Sequence, residues 1–416
     1  MSGGLMPAAE QATTTVESET QRARVAVRAI LAMALGGFAI GTGEFVIMGL
    51  LPEVAQGLQV SIPQAGHVIS AYALGVTLGA PVLAVACARW PRRLLLIALM
   101  LLFAAGNFAS ALAPGYLSLN ALRFLAGVPH GTYFGVAALV AAALAPPGQR
   151  ARAVGWLMLG LTTATVLGVP LAAWLGQVLG WRYAFVLVGV LALAAAVLIQ
   201  RWLPFMPADA AASPLRELGA LRRKQVWMTL GIAAIGLGGM FSVYSYIKPT
   251  LMEVAGLSIQ GVPVVLALFG IGMVAGNLIG PPLADKSLNR TMGGLLLWAF
   301  VVLLAFGFTA HWVWLACLNV FLIGTMVAIG PVLQIRLMDV AGDAQTLAAA
   351  LNHSAFNTAN ALGAWLGGLT IAAGLGWTST AWVGAALALG GMLMFAWSLQ
   401  VEKRDRRLRQ VAARAG

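Results

Sequence analysis

Runs of about 18 or more predominantly apolar residues recur along this sequence from end to end, and no other feature limits the possible folds as strongly. At a rise of about 1.5 Å per residue, each run is long enough to cross the roughly 30 Å hydrocarbon core of a bilayer as a helix. Of the 416 residues, 60% are hydrophobic and 9% are charged, whereas about 25% are charged in an ordinary soluble domain. The sequence therefore excludes a soluble globular protein and predicts an all-α membrane protein.

Charges, prolines and glycines divide the apolar runs into twelve predicted transmembrane helices. These are placed near 29–51, 65–87, 93–113, 117–143, 152–176, 182–201, 226–248, 261–283, 292–310, 312–335, 346–372 and 376–398.

The basic residues between the predicted helices predict the orientation of the chain. Twenty-two Lys and Arg lie in the terminal segments and in the loops of one side, whereas the other side has only Arg182 and Lys248. The positive-inside rule then places both termini in the cytoplasm. This topology accounts for the net charge of +12, and the short basic clusters do not form the amphipathic face that nucleic-acid binding requires.

A polar connection from Arg201 to Gln225 follows the sixth helix and separates two halves that resemble each other. PEVAQGLQVS (52–61) parallels PTLMEVAGLS (249–258), and AWLG followed by GW occurs at 173–181 and again at 364–377. Two parallel six-helix repeats are an architecture of secondary transporters, with a binding site between the halves near the midplane. We predict a disordered cytoplasmic tail at 1–28, six-helix bundles at 29–201 and 226–400, a linker at 202–225 and a basic cytoplasmic tail at 401–416.

Forty-nine glycines favour close helix packing, because small residues four apart let helix backbones approach in lipid. The spacings that indicate such contacts are Gly75–Gly79, Gly127–Gly131 and Gly272–Gly276–Gly280.

Glu44, in GTGEFVIMGLLP (41–52), is the only acid deep inside a predicted helix. An ionised side chain there costs about 2.5–3.5 kcal/mol on insertion scales, so its carboxyl group is neutral, paired or in contact with water. A carboxyl group that alternates between water and an apolar seal binds and releases a proton, which predicts that Glu44 couples transport to a proton gradient. The alternative is a structural hydrogen bond that closes the first helix against a neighbour.

Arg123, in the fourth helix, lies at a depth similar to that of Glu44, about 8 Å against about 12 Å from the outer helix ends. A guanidinium group there would stabilise the ionised carboxylate or a substrate. The alternative is a side chain that extends to the outer interface.

His130 and Phe134 share a helical face with Arg123, and Pro129 should bend that face, so we expect the three side chains to line a cavity. His130 could relay protons or, as a neutral group, bond to a neighbouring carbonyl.

A polar stripe of His353, Asn357 and Asn360 runs along the eleventh helix at positions i, i+4 and i+7. We expect substrate contact, since the repeat places this helix opposite the fifth. Polar contacts between helices, worth about 0.6 kcal/mol each, are the alternative. Further cavity candidates are Tyr244, Asn277 and Gln334.

Four segments carry a resemblance to a known family: GEFVIMGLLPEVA (43–55), RFLAGVPHGTYFG (123–135), GLTTATVLGVPLAAWLG (160–176) and LNHSAFNTANALGAWLGG (351–368). Over about residues 30–400 the chain resembles the drug:proton antiporter branch of the major facilitator superfamily, and within it bacterial sugar-efflux and arabinose-efflux permeases. The resemblance implies the twelve-helix fold, efflux and the proton-coupling role of Glu44. It also implies a helix-packing motif, altered here to Gly-Val-Pro at 168–170, that consists of Gly160, Gly168, Pro170 and Gly176.

The superfamily's loop signature, G-x-x-x-D-R-x-G-R-R, is altered to AVACARWPRR (84–93), with Ala88 in place of the aspartate and Pro91 in place of the glycine. The basic residues of this loop remain as expected gating residues: Arg89, Arg92 and Arg93.

The counterpart in the second half, GPPLADKSLNR (280–290), retains Asp285 and Arg290. We expect Asp285 to approach Arg152 at the start of the fifth helix and form a latch in one gating state. An ordinary charge at the inner surface is the alternative.

Together these features predict a monomeric secondary transporter of the bacterial inner membrane that exports small drug-like or sugar-like molecules by alternating access. Its energy source is the proton gradient, and we expect no cofactor, metal or nucleic acid. The alternative within transport is a proton-independent or importing permease for sugars or nucleosides. A membrane-embedded enzyme or receptor is not supported, because one deep carboxylate and four scattered histidines provide no catalytic or metal-binding arrangement.

Overall fold

The computed structural model describes residues 8–87, 89–146, 150–206, 221–341 and 345–415, and the regular structure of these residues is helical. We number its membrane-length segments as spans 1 to 12. The first half consists of span 1 (Ala8–Gly49 and Leu51–Leu58), span 2 (Ile62–Ala86), span 3 (Arg92–Ala111), span 4 (Tyr116–Gly127 and His130–Leu144), span 5 (Arg150–Thr163, a π-helical turn Ala164–Gly168 and Val169–Leu179) and span 6 (Trp181–Trp202).

The second half consists of span 7 (Lys224–Gly236, Gly238–Tyr244 and Ile247–Glu253), span 8 (Val262–Lys286), span 9 (Leu288–Thr309), span 10 (Val313–Thr325, a 3₁₀ turn Met326–Ala328 and Ile329–Ala341), span 11 (Gln345–Ala372) and span 12 (Ser379–Ala415). These segments confirm the predicted all-α membrane fold.

Within the described residues, eleven of the spans are both long enough and apolar enough to cross a membrane. Span 11 has the length but falls outside that set, because His353, Asn357 and Asn360 lower its hydropathy. A helix with this composition is stable in a bilayer only if its polar face meets protein. The composition of span 11 therefore requires it to lie against other spans.

The helices at the two ends of the chain are longer than predicted. Span 1 begins at Ala8 and span 12 continues to Ala415, so the described parts of the expected tails 1–28 and 401–416 are helical. The reason lies in the composition, since Ala, Glu, Gln and Arg are good helix formers and neither segment contains an interior glycine or proline.

Two of the spans change their backbone geometry at a proline. Span 4 breaks between Gly127 and His130, at Pro129, which lacks the N–H that would continue the helix; the expected bend is therefore present. In span 5, the π-helical turn Ala164–Gly168 ends two residues before Pro170. Such a turn accommodates an interrupted hydrogen-bond ladder, and the sequence had given no expectation of it.

Packing between the spans follows the same pattern in both halves. In the first half span 1 packs on spans 5 and 6, span 2 on span 4 and span 3 on span 6, and spans 7 to 12 repeat these pairings in the same order. Between the halves, span 2 packs along span 11 and span 5 along span 8. These two interfaces are equivalent in the duplicated arrangement. An approximate two-fold axis therefore relates the two halves.

Glycines bring the paired spans into backbone contact. A Cβ atom on Gly75 of span 2 would overlap the carbonyl oxygen of Phe124 on span 4, and one on Gly272 of span 8 would overlap that of Phe321 on span 10. The other glycines of the predicted spacings are also crowded, because a Cβ atom on each would lie less than 3.0 Å from a neighbouring helix: Gly79, Gly127, Gly131, Gly276 and Gly280. The small-residue spacings thus correspond to real helix contacts.

The helix-packing motif of span 5 faces span 1. A Cβ atom on Gly160 would overlap the carbonyl oxygen of Ala34, and one on Gly168 would overlap the hydroxyl of Thr42. Gly176 continues the same contact further along, against the Leu50 side chain. The motif therefore holds span 5 directly against the helix that carries Glu44.

We predict that Gly160→Ala lowers the melting temperature of the purified protein, because the new methyl group meets a backbone carbonyl that cannot turn away; such overpacking costs about 1–3 kcal/mol. Gly155→Ala is the matched control on the same span, since a Cβ atom there meets nothing within 4 Å and alanine has the higher helix propensity. Equal melting temperatures for the two variants would contradict the close contact of spans 1 and 5.

Candidate functional site

Glu44 lies on span 1 where the two halves meet, and only 3% of its surface is exposed. Its carboxyl group interacts with the side-chain amide of Asn360 on span 11. The contact is not a well-formed hydrogen bond, because Oε1 of Glu44 and both polar atoms of the Asn360 amide lack partners of good geometry. A carboxyl group of the first half and an amide of the second half therefore face each other with unused hydrogen-bonding capacity.

Arg123 is fully buried on span 4. One guanidinium nitrogen donates to the carbonyl oxygen of Gly43 at 2.8 Å and another to Oδ1 of Asn107 at 3.3 Å. Its charge acts on Glu44 through space, but the two described ion pairs of the protein include neither residue. The alternative in which Arg123 extends to the outer interface is wrong, because every hydrogen bond of its guanidinium group goes to the interior.

Aromatic rings enclose the guanidinium group. The ring of Tyr72 on span 2 lies 4.3 Å from its central carbon, and the ring of Phe185 on span 6 lies at 5.1 Å. Cation–π contacts of this kind stabilise a desolvated cation by roughly 2 kcal/mol. The sequence had not indicated Tyr72 or Asn107, although an asparagine in an otherwise apolar span 3 was a signal that could have been used.

A second polar cluster joins spans 2, 4 and 11. The hydroxyl of Tyr72 lies 3.1 Å from Nδ1 of His130, and the ring centre of His130 lies 6.3 Å from that of His353. The His353 ring stacks on Phe134 at 5.6 Å with an angle of 5° between the planes. The structure thus brings three of the predicted cavity residues together, along with Tyr72.

Tyr244 belongs to an aromatic group that joins spans 1, 7 and 8. It stacks on Phe269 of span 8 at 3.6 Å and presents its edge to Phe45 of span 1 at 6.2 Å. Phe241, one turn earlier on span 7, also stacks on Phe45, at 6.4 Å. These rings form an apolar contact between the two halves.

The remaining cavity candidates have separate surroundings. Asn357 is buried and donates to the backbone carbonyl of His353 at 3.1 Å, while its Oδ1 has no partner. Gln334 on span 10 accepts a hydrogen bond from Asn352 at 2.8 Å and so joins spans 10 and 11. Asn277 is partly exposed on span 8, and the described contacts do not join it to the Glu44 cluster.

Among the expected gating residues, Arg93 donates to the carbonyl oxygen of Gln200, and the backbone N–H of Arg92 donates to the carbonyl oxygen of Met206 at 3.3 Å. Both contacts stay within the first half. Arg89 and Arg290 are exposed. The side chains of Asp285 and Arg152 lie outside the described part of the structure, and so does their expected latch.

The two halves are held together at one end by the last helix of span 7, Ile247–Glu253. Lys248, only 1% exposed, forms an ion pair with Glu53 of span 1. The hydroxyl of Tyr246 donates to the carbonyl oxygen of Ala364 at 2.8 Å. It occupies a slot between Gly66 of span 2 and Gly368 of span 11, where a Cβ atom on either glycine would overlap it.

Among the described residues, two cations besides Arg123 are buried, and the sequence had predicted neither. Lys248 was expected in an outer loop but is buried within a helix, and Arg336 on span 10 is 3% exposed and bonded to Asn289 and Ser398 at 2.9 Å each. Arg123 is not the only basic residue inside a span. Both additional cations were missed because each is buried by tertiary packing near a helix end, where a hydropathy plot expects solvent.

Comparison with known proteins identifies relatives over almost the whole chain. The sequence pattern of the Major Facilitator Superfamily matches residues 33–345. The inner membrane transport protein YdhP of Escherichia coli is 42% identical over 88% of this chain and 95% of its own length. A chloramphenicol resistance protein of Streptomyces lividans is 33% identical over 87% of this chain and 94% of its own length.

The fold is also that of solved transporters. The crystal structure of the nucleoside transporter NupG superposes with a TM-score of 0.71 over 90% of this chain and 99% of that protein, at 12% identity. This similarity concerns the twelve-helix arrangement alone.

We predict that neutralising either member of the Lys248–Glu53 ion pair destabilises the protein, because the other charge is left without a counter-charge. For a fully buried pair the cost is about 3–5 kcal/mol, and it is smaller here since the Glu53 side chain is 21% exposed. Lys248→Met and Glu53→Gln should each lower the melting temperature. The double variant Glu53→Lys with Lys248→Glu should regain most of the loss, whereas an undiminished loss in the double variant would contradict a specific ion pair.

Proposed function

The chain belongs to the Major Facilitator Superfamily, and on that basis we propose that it exports small molecules in exchange for protons that bind at Glu44. As a member of this superfamily it is a multi-pass membrane transporter and not an enzyme. The proposal adds the direction of transport, the driving ion and the residue that carries it.

One observation carries the proposal: the buried carboxyl group of Glu44 lies at the interface between the halves and faces an amide with unused hydrogen-bonding capacity. Acids retained inside membrane spans mark ion and proton pathways. A protonated carboxyl group donates one hydrogen bond and accepts others, whereas an ionised one only accepts. Proton binding at Glu44 therefore changes the bond that it can make to Asn360, and with it the contact between spans 1 and 11.

Arg123 supplies the counter-charge that makes release of the proton possible. Its bonds to Gly43 and Asn107 hold the guanidinium group in place, so the positive charge stays beside the carboxyl group whether or not a proton is bound. A fixed cation stabilises the ionised form of a nearby acid. In this mechanism, Glu44 gives up its proton to water when the halves part and is held as a carboxylate by Arg123.

The interface between the halves, which contains Glu44, suits an amphipathic cargo. Phe45, Phe241 and Tyr244 offer apolar ring surface, and the free amide atoms of Asn357 and Asn360 offer hydrogen bonds. The name of the Streptomyces lividans relative, a chloramphenicol resistance protein, supports a drug-like cargo. The resemblance to sugar-efflux permeases supports a polyhydroxylated one.

We further propose that the protein resides in the bacterial inner membrane as a monomer with both termini in the cytoplasm. The strong excess of basic residues on one side supports this orientation. Protons then enter Glu44 from the outer side and leave it on the cytoplasmic side, while cargo moves outward.

The experiment that tests this proposal is transport in proteoliposomes with an imposed pH gradient, using chloramphenicol, arabinose and a nucleoside as probes. The wild-type protein should move at least one probe against its concentration gradient. Glu44→Gln should reduce this movement to the level of empty liposomes, because an amide binds no proton. Glu253→Gln, at an exposed acid on span 7, is the matched control and should retain it.

Movement of a probe at the same rate with and without the pH gradient would contradict proton-coupled export. It would favour the alternative of a proton-independent or importing permease for sugars or nucleosides. Full activity of Glu44→Gln against a gradient would contradict the role of this residue.

A further inference from the structure

Three helix ends of the second half converge on one buried cation, Arg336 of span 10. Its guanidinium group donates to Oδ1 of Asn289 at the start of span 9 and to Oγ of Ser398 on span 12, at 2.9 Å each. It also pairs with Glu402, one turn further along span 12, at 3.6 Å. Ser398 in turn donates to Oε1 of Gln225 at the start of span 7, at 2.7 Å. These bonds fix the ends of spans 7, 9 and 12 relative to one another.

Exposed cations surround this cluster. The exposed basic residues of the three connected helix ends form a group that we call the basic rim: Arg222, Arg223, Lys224, Arg290, Lys403, Arg404 and Arg407. Three of them, Lys224, Arg290 and Lys403, are each next in the chain to a residue of the cluster, so the bonds of Arg336 also set their positions. Among the described residues, the exposed acids of these segments and of the end of span 10 are Asp339 and Asp405. The rim is therefore strongly positive.

The lipid-facing side of span 12 leads directly into the basic rim. Leu393 and Trp397 on this side are 65% and 57% exposed. Arg404 follows Leu393 by almost exactly three helical turns and Trp397 by about two, so the three residues share one face. Tryptophan is enriched at the boundary of the membrane, and Arg404 lies about 10 Å beyond Trp397 along the helix. Because side chains of a helix tilt toward its N-terminus, the Arg404 side chain is directed back toward the phospholipid headgroups.

Span 7 has a matching boundary at Trp227, which is 56% exposed. Its indole N–H donates to the carbonyl oxygen of Leu221 at 2.7 Å. This bond holds the segment that carries Arg222 and Arg223 against the start of the helix. Lys224 lies about 4.5 Å before Trp227 along the axis. Since spans 7 and 12 pack together, their basic ends lie side by side at the level of the headgroups.

We propose that the basic rim binds the phosphodiester groups of anionic phospholipids in the cytoplasmic leaflet. Charge complementarity supports this partner, because seven exposed cations face two exposed acids at headgroup depth. Basic groups between helices at this side of a membrane attract anionic headgroups. The exposed Leu393 and Trp397 beside the rim provide the apolar surface for the acyl chains, which a free phosphate would leave unused. The proposal does not depend on proton binding at Glu44.

The competing explanation is that these basic residues only set the orientation of the chain in the membrane. In that case the cations of the first half on the same side would be equivalent to those of the rim. Lipid binding at the rim instead requires the arrangement that Arg336 holds together. The two explanations therefore differ in whether the position of the removed charges matters, or only their number.

The test is a lipid titration of the purified full-length protein in detergent, followed by native mass spectrometry. Dioleoylphosphatidylglycerol is the anionic probe, and dioleoylphosphatidylcholine, with the same acyl chains and a zwitterionic headgroup, is the reference lipid. The rim variant combines Lys224→Gln, Arg404→Gln and Arg407→Gln. Its melting temperature without lipid shows whether it is folded, and the single variant Arg404→Glu replaces it if it is not.

The matched control combines Arg24→Gln, Arg28→Gln and Arg201→Gln. These residues are also exposed and lie on the predicted cytoplasmic side, at ends of spans 1 and 6 in the first half. The control therefore removes the same number of charges from the same side of the membrane. An excess of inorganic phosphate in a parallel titration distinguishes a lipid headgroup from a free anion.

We expect the wild-type protein to prefer phosphatidylglycerol, with an affinity that falls as salt is raised. The rim variant should weaken this binding by at least about tenfold, which is less than three basic side chains together contribute at an anionic surface. The control variant should keep the wild-type affinity.

Three results would overturn the proposal: an unchanged affinity in the rim variant, an equal loss in the control variant, or displacement of the lipid by inorganic phosphate. Each of these would leave the proposed proton exchange at Glu44 intact, because lipid binding is measured without transport.

Discussion

The structure depends on one constraint: a carboxyl group in a low-dielectric interior must find a partner or a proton. Glu44 meets this constraint at the interface of two duplicated halves, where Arg123 on its own half supplies charge and Asn360 on the other half supplies an amide. The cation is held by the Gly43 carbonyl and Asn107, both on its own half, so its hydrogen bonds do not depend on the other half. Any movement between the halves therefore changes the surroundings of the carboxyl group more than those of the arginine.

The proposed proton site and the contacts around the Lys248–Glu53 ion pair use the same helices. Span 1 carries both Glu44 and Glu53, and span 11 carries both Asn360 and Gly368, which forms part of the slot for Tyr246. Tight backbone contact through Gly160 and its neighbours makes spans 1 and 5 move together. In the proposed mechanism, a change in the bond between spans 1 and 11 moves rigid helix pairs, as alternating access requires.

Sequence reasoning predicted the helices, the glycine contacts and the similar depth of Glu44 and Arg123, because these follow from hydropathy and helical spacing. Other features depend on which helices become neighbours. Tyr72 looked like an ordinary aromatic residue, and Lys248 looked like a loop cation, until packing placed the one under Arg123 and the other against Glu53. The extension of span 1 to Ala8 was missed for a different reason, since hydropathy does not report helices that leave the membrane.

Electron spin resonance distances across the outer face test most directly whether proton binding at Glu44 sets the arrangement of the halves. Spin labels at Leu112 on the first half and Trp314 on the second suit this purpose, because both positions are highly exposed, at 81% and 85%. The distance distribution should change between acidic and alkaline solution in the wild-type protein and stay fixed in Glu44→Gln. An identical response to pH in both proteins would contradict the account.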